Sequence, residues 1–135
     1  MRQTVLIVFI LGIVLSLASQ AIAQFNYAFT TLQRELEGAD IYAQDKDKTY
    51  LGKITNGFGL NSVVSEYGNY GNKFSSTSIW NEFGKYGGRF GQYSPFNSFS
   101  SAPPVIIKNN KIVGYLSISQ SNNNNLDPNI LRLFK

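Results

Sequence analysis

The 135-residue chain contains no cysteine and no histidine. Without cysteine there are no disulfide staples, the usual support of small exported domains, and no thiolate nucleophile. Without histidine there is no Ser-His-Asp hydrolysis, and zinc or copper sites built on those two ligand types are excluded as well. Neither a Gly-x-x-x-x-Gly-Lys-Ser/Thr loop nor a dinucleotide fingerprint occurs, because the glycines sit among aromatic residues and do not open a long helix. No Asn-x-Ser/Thr sequon is present, which removes one marker of a eukaryotic secretory route. Lysines and arginines are scattered, with no run of like charge that would read as a nucleic-acid arm.

What is present begins with a targeting pattern. Arg2 precedes an apolar run from Val5 to Leu15, and Ala21-Ile22-Ala23 fits the small-x-small cleavage rule. Residues 1–23 therefore read as a cleaved signal peptide, with an uncleaved anchor as the alternative, and no further membrane span is expected after cleavage. The remaining residues carry a mildly basic balance, eleven Lys/Arg against eight Asp/Glu once Arg2 is removed. Secretion or the periplasm of a bacterium is the expected location.

Past the signal, residues 24–118 read as one α+β domain. Phe25, Phe29, Leu32 and Leu36 form one stripe at helical spacing, with Gly38 as a stop, and predict a docking helix. Two β-hairpins are expected. One joins Ile41-Tyr42-Ala43 to residues 49–55, and the other joins Val105-Ile106-Ile107 to residues 111–117 across Lys108-Asn109-Asn110. Gly52 and Gly114 occupy matching places in the second strands and suggest bulges or close backbone approach. Both hairpins are assigned to one small antiparallel sheet, because a lone hairpin is marginal in water. Residues 119–135 read as a polar, mobile linker followed by a short helix that starts at Asp127-Pro128 and docks through Ile130, Leu131 and Phe134.

Between the hairpins, residues 60–102 match themselves at a period of sixteen. Ser62-Val63-Val64-Ser65-Glu66-Tyr67-Gly68-x-Tyr70-Gly71-x-Lys73-Phe74 is answered by Ser78-Ile79-Trp80-Asn81-Glu82-Phe83-Gly84-x-Tyr86-Gly87-x-Arg89-Phe90. A third copy opens at Ser94-Pro95-Phe96-Asn97 and breaks at Pro103-Pro104. Ser62, Ser78 and Ser94 are expected to cap short helical turns, and Gly68 and Gly84 to end them with positive φ. An irregular glycine/aromatic repeat region follows from this, resting on the sheet.

The run Ser-Ile-Trp-Asn-Glu-Phe-Gly-x-Tyr-Gly at 78–87, with Pro103-Pro104 downstream, resembles a group of small exported bacterial proteins. The resemblance covers residues 41–117 and implies no activity. In that group serine often follows the second glycine, where this chain has Asn72 and Gly88.

Carboxylates are the remaining acid/base groups at neutral pH. Glu66 and Glu82 stand at equivalent positions, so a carboxylate-dependent glycan hydrolase can be written, although a surface role or pairing with Lys73 and Arg89 is the plainer reading. Asp45-Lys46-Asp47 reads as a solvated hairpin turn in preference to a calcium loop. No cofactor or metal is expected, and no nucleic acid, since Arg89 is answered by Lys73 and suits stacking on a tyrosine. Tyr67, Tyr70, Tyr86, Arg89 and Tyr93 are the candidate binding residues for an envelope protein or a glycan. Of the rings, Tyr70 and Tyr86 are expected to be exposed, whereas Phe74, Trp80, Phe83 and Phe90 are expected in the core. The functional expectation is a non-catalytic exported binding module, with a self-associating structural surface protein as the alternative.

Overall fold

The computed structural model describes residues 1–134. The chain divides into two compact units, Met1–Glu35 and a second from Leu36 onward. The first unit belongs to a single helix, α1 (Arg2–Leu36), which is long and apolar enough to cross a membrane and is compatible with a signal sequence. The stripe expected to start a separate helix at Gln24 instead continues the apolar leader without a break. Phe25 stacks on Phe29 one turn along, with ring centroids 6.2 Å apart. Gly38 ends the helix with φ +80° and donates its N–H to the Ile54 carbonyl at 2.7 Å.

The second unit is built on a five-stranded sheet in the order β2-β1-β3-β4-β5. The strands are β1 (Asp40–Tyr42), β2 (Tyr50–Lys53), β3 (Val105–Lys108), β4 (Lys111–Leu116) and β5 (Asn125–Leu126). All pairs are antiparallel except β4–β5. The two hairpins meet along β1 and β3, where Ile41 lies opposite Ile106. Ile41, Leu51, Ile54, Ile106 and Leu116 are fully buried and form the sheet's side of the core.

The β3–β4 connection is a two-residue loop, with Lys108 opposite Lys111. Asn109 and Asn110 both take positive φ, +53° and +60°, as a type I′ turn requires. Asparagine tolerates this region better than most residues, but glycine does so without a Cβ penalty. Asn110→Gly is therefore expected to stabilise the chain by about 0.5 kcal/mol, read as a higher urea midpoint with an unchanged slope.

Both strand glycines lie beside register shifts, as their spacing suggested. Gly52 has φ +118°, and a Cβ there would come within 2.8 Å of the Tyr70 Cβ. A Cβ on Gly114 would stand 3.0 Å from the Asn124 carbonyl oxygen. That contact belongs to the tail, which departs from the expected mobile linker. Tyr115 donates its N–H to Asn124 O, and Ser117 donates to Leu126 O, so the polar tail adds β5 to the sheet. A 3₁₀ helix, Pro128–Phe134, follows. Asp127 caps it by accepting the Asn129 N–H at 2.9 Å, and Pro128, Leu131 and Phe134 are buried.

Candidate functional site: a turn array that displays aromatic rings

Residues 56–102 contain no helix or named strand. Their backbone groups are satisfied by consecutive turns. The N–H of Ser65 donates to Ser62 O, Gly68 to Ser65 O, Asn72 to Gly68 O, Ser75 to Asn72 O and Ser78 to Ser75 O. The same steps recur from Ser78 through Asn81, Gly84, Gly88 and Gly91 to Ser94. Each set has four steps of three residues and one of four, and the chain advances sixteen residues.

Residue type explains why the turns close. Every opener in these two sets is serine, asparagine or glycine. Where the opener has a side chain, its oxygen commonly accepts the N–H two residues ahead while its carbonyl accepts the N–H three ahead. Ser78 Oγ takes the Trp80 N–H at 3.1 Å, Asn81 Oδ1 the Phe83 N–H at 3.1 Å and Asn72 Oδ1 the Phe74 N–H at 2.9 Å. The expected caps at Ser62, Ser78 and Ser94 thus close single turns that do not continue into helices.

Gly68 and Gly84 do not adopt the positive φ expected of them. The glycine requirement falls most heavily on Gly71 and Gly87, for a different reason. The chain folds back on itself, so a Cβ on Gly71 would overlap the Ser65 carbonyl oxygen, and one on Gly87 that of Asn81.

The array is tied to the sheet at both ends. Val63 donates its N–H to Lys53 O beside β2, and Ile118 donates to Pro95 O just beyond β4. Val63, Ile79 and Pro95, sixteen residues apart, are fully buried. The indole N–H of Trp80 donates to the Val63 carbonyl, and the Arg132 guanidinium stacks on the indole 4.1 Å from its centroid. Tyr70 packs edge-on to Tyr50, with centroids 5.0 Å apart.

The aromatic residues fall differently from their expected places. Tyr86 is only 7% exposed, and its hydroxyl donates to Asp45 Oδ2 at 2.7 Å, so it cannot offer a ring to a partner. Tyr70 is half-buried on Tyr50, and Tyr93 is half-buried with Lys85 Nζ 5.1 Å from its ring. Trp80 is buried, as expected. Phe74, Phe83 and Phe90, expected inside, are outside. Together with Phe58, Tyr67 and Phe99 they are 79–100% exposed. Their separations alternate between nine and seven residues, so the set repeats every sixteen. The side a ring takes follows the turn of the unit that carries it. Tyr67, Phe74, Phe83, Phe90 and Phe99 are the third residues of the second and fourth turns of each unit, whereas the third residues of the other turns, such as Val64, Tyr70, Trp80 and Tyr86, are buried or half-buried.

Two grooves run between these rings. One, of about 410 Å³, is lined by Glu66, Tyr67, Lys73 and Phe74. The other, of about 980 Å³, is lined at the equivalent positions by Glu82, Phe83, Arg89 and Phe90, with Phe99 added. Trp80 and Arg132 line both. Of the residues proposed from sequence, Tyr67 and Arg89 therefore reach a groove surface. The exposed phenylalanines were missed, although their nine-and-seven alternation was there to find.

Asp45, expected in a solvated turn, is buried. Its side chain is 2% exposed and accepts from the Thr49 N–H and hydroxyl, the Tyr86 hydroxyl and the Lys85 ammonium. Burial opposes its charged form, but these hydrogen bonds outweigh burial and hold the carboxyl well below the usual carboxylate range. Asp45 thereby fastens the β1–β2 turn to the second copy of the array. Near the other end of the same hairpin, Asp40 pairs with Lys53 at 2.7 Å and accepts the Tyr50 hydroxyl proton, whose release burial and that carboxylate both disfavour.

Comparison with protein-family models, characterised proteins and solved structures returned no match.

Proposed function

We propose that the protein is a non-catalytic exported interaction module whose contact surface is the set of outward rings. The observation that carries this reading is the exposure of six aromatic side chains at a regular spacing. A soluble monomer rarely leaves so much apolar surface in one region, and such surface commonly marks an interaction site. The rings are also cheap to expose structurally, because the turns are closed by serine, asparagine and backbone oxygens.

A binding role is favoured over a paired-carboxylate hydrolase by the placement of Glu66 and Glu82. Each lines its own groove, so neither groove sets the two carboxyl groups across a common substrate. The N-terminal apolar helix supports export, and a partner in the bacterial envelope or outside the cell follows from that reading.

Changing Tyr67, Phe74, Phe83 and Phe90 together to serine tests it. Capture of the exported protein by envelope fractions, or its own assembly, is expected to fall at least tenfold, as loss of hot-spot rings does. Retention of both, with the fold intact, contradicts the reading. Tyr70→Ala would not be a substitute test, since Tyr70 packs on Tyr50 and its loss would act through stability.

A further inference from the structure

The rings differ in the charge beside them. Tyr67 and Phe83 each follow a glutamate, Glu66 and Glu82, whereas Phe74 and Phe90 each follow a cation, Lys73 and Arg89. All four charged residues are exposed and line the grooves, one carboxylate and one cation to each. The surface thus carries an acidic set of rings and a basic set, and within these four positions the charges cancel.

We infer that this surface takes a second copy of the same chain, with the acidic set of one copy lying on the basic set of the other. The inference rests on the rings being an interaction surface, as proposed above. Charge and area single out this occupant. A two-fold axis running between the sets turns one copy over and brings Glu66 and Glu82 against Lys73 and Arg89 of the second copy, and the reverse. A nucleic acid or an anionic lipid would satisfy the basic set but be repelled by the acidic one. An uncharged glycan would gain nothing from the charge of either set. The five exposed rings that line the two grooves, at about 150 Å² each, offer about 750 Å² of contact surface, close to the value of about 800 Å² per partner in a stable interface. The unequal grooves, 410 and 980 Å³, also provide recesses for the other copy's rings.

The test is sedimentation equilibrium on the full chain purified after export, from micromolar to near-millimolar concentration. The native protein is expected to form a dimer. Glu66→Lys with Glu82→Lys makes both sets basic, and Lys73→Glu with Arg89→Glu makes both acidic. Each pair alone is expected to weaken dimerisation on the order of a hundredfold, because like charges then face each other. An equimolar mixture of the two variants is expected to regain a dimer, which also shows that both remain folded. A native monomer at every concentration overturns the inference, as do reversed variants that dimerise like the native chain or a mixture that stays dissociated. If the native chain is monomeric but the four-serine variant loses envelope capture, the second copy is wrong and the interaction surface stands. A native dimer that the four-serine variant also forms, with envelope capture unchanged, sinks both.

Discussion

Gly87→Ala is expected to destabilise the chain by at least about 3 kcal/mol, and at a position with no positive φ. The added Cβ would lie 2.5 Å from the Ile79 carbonyl oxygen and closer still to that of Asn81. Both obstacles are backbone, so no side chain can rotate away. Relief requires the second copy of the array to open, which in turn moves Ile79 and the Trp80–Val63 hydrogen bond. Gly84→Ala is the control. The atoms nearest its Cβ would be those of the Asn81 side chain, 3.2 Å away, and a shift of a few tenths of an ångström suffices. That variant is expected to change stability by less than about 1 kcal/mol, since the lost chain entropy of glycine offsets part of the cost. Urea unfolding followed by Trp80 fluorescence separates the two outcomes. Equal effects would mean that backbone proximity is not what fixes glycine at position 87.

Asp45→Ala is expected to cost about 3–5 kcal/mol, the range for removing one partner of a buried charged network. The Tyr86 hydroxyl would keep only Thr49 Oγ1 at 3.0 Å, and the Thr49 N–H would lose its acceptor. Lys85 matters less, being exposed, although its hydrogen bond to Asp45 favours its charged form. The same carboxylate gives the chain an acid limb. Its native pKa lies below the value in the unfolded chain, so the unfolded state binds the proton first as pH falls. The stabilisation is complete above about pH 4 and is lost progressively below it. Asp45→Asn should lower stability at neutral pH and flatten the dependence below pH 4. A native chain with no loss of stability in acid would contradict the assigned hydrogen bonds.

The hairpins were legible because their signals are local. β-branched runs bound a turn at Asn109-Asn110, and Gly52 and Gly114 mark the places where backbone or ring comes close. The helix stop at Gly38 and the cap at Asp127 were legible for the same reason. Side-chain direction in the array was not. Period-two and helical patterns tell inside from outside only in strands and helices, whereas here direction follows which turn of the sixteen-residue unit carries the residue. Tyr86, beside a glycine, looked exposed but reaches back to Asp45, which lies 41 residues earlier. Phe83, in a motif dense with aromatics, looked like core and is fully exposed. The asparagine-rich tail looked mobile because its composition is polar. Its backbone nevertheless completes the sheet, and Asn125 Nδ2 donates to Ser119 O at 2.8 Å.

The array divides into residues that hold it and residues that it displays. Ile79→Ala removes a fully buried side chain, and a cost of about 2–4 kcal/mol is expected. The decisive comparison is urea unfolding of the variant with Tyr67, Phe74, Phe83 and Phe90 all changed to serine, measured at concentrations where the native chain is monomeric. A midpoint shift equivalent to less than about 1 kcal/mol is expected, because surface substitutions away from packed features are nearly neutral. A four-serine chain that unfolds as readily as Ile79→Ala would contradict the account, for the rings would then be holding the fold together instead of facing a partner.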